Sequence, residues 1–495
     1  MRFFKRFSPA SLLASTLLAA SVSACAPHLD SLLHIKPASN YATAQSLSAP
    51  VTPWPTQQWW LAYNDTQLNA LMEEALQGTP SLAVAQARLQ QAQGQAQAAG
   101  ATLLPTVTAN ASYTSTRQSY NNGAPAAFVP QGWNDSANAT LEMNYELDFW
   151  GRNRAQLAAA TSKLEAARAE AAQAQVTLTT GIAAAYADLA QQYQDRDAAA
   201  DAVRVRTQTA KLFAQRQANG LENIGSVKQA QALQAEAEGQ VAALNEAIGL
   251  TRNRIAALLG KGPDRGLALT HPSIDLAHPF GLPANLPLQL IGHRPDVQAA
   301  RLRVEAAAQQ VKMAKTAFYP NINLSAYIGR QVLGLKYLGN PDSTTGGIGP
   351  AVNLPIFNRG ALTGAYKSAA GAYNEAVANY DSILTHALQD VANVVVSHRA
   401  LAEQLNHARA AVNASTQAWQ VATGRYKAGL SNYLEVLTAE DRLIGDRRTL
   451  ADLQARAFTL DIGLMRALGG GYAPQAEAAA TALAATAPST TIVKE

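Results

Sequence analysis

The chain has 495 residues, of which 15% are charged and 6% aromatic, with a formal net charge of +4. A low charge with abundant apolar residues excludes a disordered chain, and so few aromatics do not suit one large compact core. Arg2, Lys5 and Arg6 supply +3 of the net charge, which leaves +1 for the rest and no basic face for nucleic acid.

Taken in chain order, residues 1–24 predict a secretory signal. Basic residues lead, and an apolar stretch with Leu12, Leu13, Leu17, Leu18 and Val22 follows. Val22-Ser23-Ala24-Cys25 resembles a bacterial lipobox, in which the cysteine is lipidated and becomes the new N-terminus. Cys25 is the only cysteine, so no internal disulfide forms. Ala26 stands where an aspartate often marks inner-membrane retention, which favours the outer membrane. After Cys25 no apolar run approaches the roughly 20 residues of a spanning helix. A lipid and a β-barrel remain as ways to meet a membrane.

Beyond residue 100 the period changes to two. Val107, Ala109, Ala111 and Tyr113 alternate with Thr106, Thr108, Asn110, Ser112 and Thr114. A second run from Ala137 to Phe149 alternates apolar residues with Asn138, Thr140, Glu142, Asn144, Glu146 and Asp148. Two later runs follow: 321–328, with Ile322, Leu324, Ala326 and Ile328, and 347–356, with Ile348, Val352, Leu354 and Ile356. Polar loops near 116–136 and 330–346 join each pair. One apolar and one polar face suit a strand between lipid and a water-filled lumen. Bacterial membrane barrels need about eight strands or more, and open edges are not tolerated in lipid. Spanning strands therefore require several chains per barrel, and periodicity does not choose between two and three.

Long helical stretches lie between the strand pairs. Residues 155–217 contain no proline and one glycine, Gly181, and predict a helix roughly 95 Å long. Residues 361–427 form a similar stretch, and shorter helices are expected at 226–259 and 432–468. Such lengths point to coiled-coil or bundle packing. An internal repeat ties the halves together. Arg216-Gln217-Ala218-Asn219-Gly220-Leu221 matches Arg425-Tyr426-Lys427-Ala428-Gly429-Leu430 at an offset of 209, and Leu259-Gly260 matches Leu468-Gly469 at the same offset. Helix, β-hairpin, very long helix, turn and helix occur twice.

These stretches in order resemble the TolC/OprM-type outer-membrane factors of tripartite efflux and secretion systems, on the NodT/OprM-like lipoprotein branch. The resemblance is carried by Trp59-Trp60 with Asp65 and Leu68, by Tyr145 to Arg152, and by His293-Arg294-Pro295-Asp296-Val297. Phe318 to Ile322, Leu354 to Gly360 and Arg425 to Ala439 complete it. It implies a fold that is mainly α with a membrane β-barrel: a long α-helical barrel plus four strands per chain in a shared 12-stranded barrel of a homotrimer. The implied division is 1–24 signal peptide, 25–104 lipid-anchored segment and first helices, 105–150 first hairpin, and 151–262 first long helix pair. It continues as 263–318 equatorial connector, 319–358 second hairpin, 359–469 second long helix pair, and 470–495 disordered tail.

The resemblance implies an exit channel for small toxic compounds or drugs, with no chemistry and no cofactor. Its partners would be a periplasmic adaptor and an inner-membrane pump of RND or MFS/EmrB-like type. Cys25 would carry lipid, and Glu142, Asn144, Glu146 and Asp148 would line the barrel lumen. Adaptor docking would fall at the helix tips, on Arg216, Gly220, Ser226 and Val227 and on Arg425, Gly429, Leu430 and Ser431. The periplasmic gate would involve Leu434, Glu435 and Thr438. Many relatives carry an aspartate where Thr438 stands, which leaves Leu434 or Glu435 as the narrow point. Alternatives are a duct for a secreted polypeptide, or a non-conducting adaptor or coiled-coil lipoprotein. The eight histidines show no zinc-ligand spacing, and no HExxH or GxSxG occurs. An enzyme is not expected.

Overall fold

A computed structural model describes residues 32–119, 121, 126–274, 281–284, 286–355 and 357–473. The expected signal segment with Cys25, Ile356 of the fourth alternating run and the tail beyond 473 lie outside the described residues. Contacts divide the chain into two units. The first comprises Met1–Ile35, Leu89–Ala167 and Ala300–Tyr380; the second comprises Lys36–Arg88, Arg168–Ala299 and Asp381–Glu495.

The first unit holds a four-stranded antiparallel sheet in the order β1-β2-β3-β4. The strands are β1 (Thr106–Arg117), β2 (Trp133–Glu146), β3 (Asn321–Leu333) and β4 (Thr344–Asn353). The two expected hairpins are therefore one sheet, joined by the β2–β3 pairing. Strand β2 departs from its expected range at both ends. It starts at Trp133, because the loop-side residues Asn134, Asp135 and Ser136 pair with β1 although they break the alternation. It stops at Glu146, because Asp148 is drawn to a helix start instead. Beside the sheet, Phe318 packs edge-on to Tyr366 at 6.0 Å, and Trp150 stacks on Tyr319 at 4.7 Å.

The helices, in chain order, are α1 (Thr66–Leu76), α2 (Pro80–Ala101), α3 (Arg152–Ala218), α4 (Ile224–Leu258) and α5 (Asp264–Leu267). They continue as α6 (Leu286–His293), α7 (Pro295–Thr316), α8 (Arg359–Lys427) and α9 (Tyr433–Ala467). The duplication shows in the lengths: α3 and α8 have 67 and 69 residues, and α4 and α9 have 35 each. Alanine and straight-chain residues sustain these lengths because they lose little freedom in a helix. Among the described residues, no helix is long and apolar enough to cross a membrane.

The second unit builds its main core where α1, α3, α4 and α9 meet. Trp59, Trp60 and Tyr63 lie in a short 3-10 turn and pack with Leu68, Leu71, Tyr186, Ile255 and Phe458. Asp65 caps α1 by accepting from Leu68 N at 2.9 Å, and its second oxygen accepts from Tyr186 Oη at 2.9 Å and Ser273 N at 2.8 Å. The Trp-Trp and Asp stretch is thus core and cap. In the same unit Arg294 is 9% exposed and holds Asp296 at 2.6 Å and Asp390 at 3.0 Å. Pro295 opens α7, where its missing N–H costs nothing.

Candidate channel surfaces

The sheet register sorts every strand into two faces, because directly opposed residues of antiparallel strands share a face. Thr108, Glu142, Tyr327 and Gly347 form one row, and Thr106, Asn144, Ser325 and Gly349 form the next. On the other face, Val107, Met143, Ala326 and Ile348 form one row, and Ala109, Leu141, Ile328 and Gly346 form another. One side is polar across four strands and the other is apolar. The apolar side is bare in the single chain: Leu141 is 52% exposed, Ile328 62% and Ile348 76%. An apolar face this wide belongs against lipid or protein, not water.

Glu142, Asn144 and Glu146 all stand on the polar face. Glu142 accepts a hydrogen bond from Thr140 Oγ1 at 3.3 Å, and Asn144 Oδ1 accepts from Ser325 Oγ at 3.0 Å. Asp148 does not join them. It lies past the end of β2, and its carboxylate accepts from Asn153 N at 3.2 Å, Arg154 N at 2.9 Å and Arg154 Nε at 3.2 Å. Burial resists its ionisation, but the two backbone N–H groups and the Arg154 guanidinium outweigh that and hold it below the usual carboxylate range. It serves the first turn of α3, where unpaired N–H groups collect, and stands off the strand face that carries Glu142, Asn144 and Glu146.

The two helix tips share one construction at the repeat offset. Leu221 N donates to Arg216 O at 2.9 Å and Gly220 N to Gln217 O at 2.9 Å. Leu430 N donates to Arg425 O at 2.9 Å and Gly429 N to Tyr426 O at 3.0 Å. This paired bonding ends a helix through a left-handed residue, and Gly220 and Gly429 sit at φ of 69° and 73°. Asn223 and Asn432 then cap α4 and α9, accepting from Ser226 N at 2.9 Å and Glu435 N at 3.2 Å. Beneath the tips Phe213, Val227, Tyr426, Tyr433, Val436 and Leu437 form a core, with Phe213 and Tyr433 rings 3.8 Å apart. Val227 is 5% exposed, so it is a core residue and not a docking surface. Arg216 is half-buried and lays its guanidinium 4.9 Å over the Tyr426 ring. Gly220, Arg425, Gly429 and Leu430 are exposed, and Ser226 and Ser431 are partly so.

Leu434, Glu435 and Thr438 share one exposed face of α9. With Arg442 and with Ser415, Ala418 and Ala422 of α8 they line an open groove. The Thr438 hydroxyl donates to Leu434 O at 2.8 Å, and Arg442 pairs with Asp446 at 3.2 Å. On the opposite side of α9 lies a residue that sequence reading passed over. Glu440 falls in the apolar stripe Tyr433, Val436, Leu437, Glu440, Leu443 and is 1% exposed. Thr209 Oγ1 donates to it at 3.2 Å, and Arg206 Nη1 lies 4.0 Å away. Burial pushes its carboxyl up, against the pull of Arg206. A carboxylate at helical spacing among apolar residues is the sequence signal that would have found it. Among the described residues no cluster of histidine, cysteine or carboxylates could hold a metal ion.

A duplicated set of long helix pairs, with a four-stranded amphipathic sheet whose outer edges find no further strand among the described residues, defines a channel subunit that shares its barrel with other copies. The outer membrane efflux protein family model matches residues 71–261 and 286–470, and the chain belongs to that family. It is 30% identical over 486 residues to the multidrug resistance outer membrane protein MdtP of Escherichia coli K12, covering 95% of this chain and 98% of that protein. It is 35% identical over 316 residues to the fusaric acid resistance protein FusA of Burkholderia cepacia, covering 62% of this chain and 59% of the other. The solved structure of the outer membrane protein VceC from Vibrio cholerae matches with a TM-score of 0.81 at 46% identity, covering 84% of this chain and 100% of VceC. The protein is an outer-membrane efflux channel with a periplasmic helical extension, and not an enzyme. Channels of this family are trimeric.

Proposed function

We propose that three copies of this chain form one exit channel that passes small toxic compounds to the outside. The observation that carries this reading is the sheet: one polar face, one bare apolar face, and outer edges open for strands of neighbouring copies. Three sheets of four strands would close a twelve-stranded barrel, apolar towards lipid and polar towards water. The relatives' names, multidrug resistance and fusaric acid resistance, support small compounds as cargo.

In this reading Glu142 and Glu146 bias the lumen towards cations. The channel closes at the start of α9, where Leu434 restricts wetting and Glu435 adds charge. The tips bearing Arg216, Gly220, Ser226, Arg425, Gly429, Leu430 and Ser431 receive a periplasmic adaptor, which links the channel to an inner-membrane pump of RND or MFS/EmrB-like type. Cys25 carries the lipid anchor. Intact mass of the mature N-terminus reads the anchor directly; an unmodified cysteine there would remove it from the account.

Planar-bilayer recording tests the conduit. The purified protein is expected to conduct with cation preference in a salt gradient, and Glu435→Ala is expected to enlarge the conductance and weaken that preference. A variant channel identical to the parent in size and selectivity would take Glu435 out of the gate. A protein that inserts and never conducts would overturn the conduit itself.

A further inference from the structure

Within the second unit, α3, α4 and α9 surround a cavity of about 220 Å3. Its walls are apolar: Ala199 and Ala202 come from α3, Leu233 and Ala237 from α4, and Leu443 and Ile444 from α9. Its polar fittings are unusual. Asp195 Oδ1, Arg206 Nη1 and Glu440 Oε1 are all buried without a hydrogen-bond partner, and all three residues line this one cavity. Arg206 Nη1 and Glu440 Oε1 face each other at 4.0 Å, an ion pair too long for a hydrogen bond; buried polar atoms normally make hydrogen bonds, so all three atoms have bonding capacity left for an occupant.

The charge of the deep end decides what that occupant is. Glu440 has a side chain 1% exposed, and its orphan oxygen is 4.0 Å from Arg206 Nη1, beyond hydrogen-bond reach. Arg206 is already committed through its other terminal nitrogen to Asp441, which does not line the cavity. Asp201 is taken by Arg204 at 3.1 Å. Arg448 acts on Asp195 and Arg206 on Glu440, yet the lining carries four carboxylates, Asp195, Asp201, Glu236 and Glu440, against three guanidinium groups, Arg206, Arg447 and Arg448, of which Arg447 and Arg448 are exposed. Burial pushes both carboxyls up, against the pull of Arg448 on Asp195 and of Arg206 on Glu440, and a cationic occupant would favour their ionised forms. The volume lies below the roughly 300 Å3 at which drug-sized pockets begin, so the space suits a one- or two-ring amine.

We propose that this cavity binds a small amphipathic organic cation, with Glu440 as its counter-charge and the alanine and leucine walls around its hydrocarbon. The occupant completes the orphaned Glu440 oxygen and holds α9 against α3 and α4. This site does not rest on the conduit reading, because binding is read on the purified protein without transport.

Equilibrium dialysis of the full-length protein in detergent tests it, with 1-naphthylmethylammonium as the probe and detergent alone as the blank. The neutral 1-naphthylmethanol is the control of equal shape. One saturable site per chain is expected, with the alcohol weaker by about tenfold or more. Glu440→Gln is expected to weaken the cation by a similar factor and leave the alcohol unchanged. Ala237→Phe, which fills the space, is expected to abolish both while the oligomer persists. The absence of saturable binding would overturn the proposal, as would equal binding of amine and alcohol. If Glu440→Gln fails to assemble, Ala237→Phe decides alone: full binding by that folded variant places the probe elsewhere and overturns the site.

Discussion

Asp148 shows how one carboxylate moves from one role to another over two residues of chain. Its alternation with Glu142 and Glu146 places it on the polar face of a strand, yet Asn153 N, Arg154 N and the Arg154 guanidinium hold it at the start of α3. A carboxylate near a helix N-terminus also gains from the helix dipole. Because its folded pKa is depressed, its stabilisation is complete above the ordinary carboxylate pKa and is lost as pH falls through the lowered folded value. Asp148→Asn is therefore expected to lower the thermal midpoint at neutral pH, with the gap to the parent closing between about pH 5 and pH 2. Circular dichroism melts across that range check it; a gap that stays constant would contradict the assignment. Val227 teaches the same lesson from the core side. The repeat places it at a tip, but its 5% exposure and its contacts with the Phe213 cluster make it part of what holds the tips together.

At the level of elements, the register of the sheet makes the sharpest prediction. Leu141 and Glu142 are neighbours in sequence and lie on opposite faces. Leu141→Arg puts a charge on the apolar face and is expected to cost about 2–4 kcal/mol if that residue sits near the bilayer midplane. Glu142→Gln changes the polar face and is expected to reduce cation preference with little effect on folding. Outer-membrane yield and heat-resistant migration report the first, and reversal potential reports the second; the opposite pattern would invert the faces. The four strands are legible in the sequence because Val107 to Tyr113 and Leu141 to Tyr145 alternate without interruption. The ends of β2 are not, because alternation is a property of side chains and pairing one of backbone. Asn134 to Ser136 pair without alternating, and Asp148 alternates without standing in the strand. The long helices were legible to within about three residues, since proline and glycine mark their limits. Glu440 is legible as a carboxylate in an apolar stripe, but its partners Arg206 and Thr209 are not, because only the packing of α3 against α9 brings them to it.

For the whole molecule, duplication, strand count and family agree. Two helix pairs and four strands make a subunit, and four strands have no closed form in a bilayer on their own. That several copies are needed follows from physics; that the number is three follows from the family. The proposed gate and docking residues rest on resemblance to that family alone, because an exposed Leu434 or Leu430 on a helix tip carries no mark of a partner in sequence or in one chain. The central claim is that the open edges of β1 and β4 are closed by other copies of this chain. Light scattering of the purified protein in detergent, with the detergent contribution subtracted, tests it most directly. The account predicts the mass of three chains, and a stable monomer retaining its strands would contradict it.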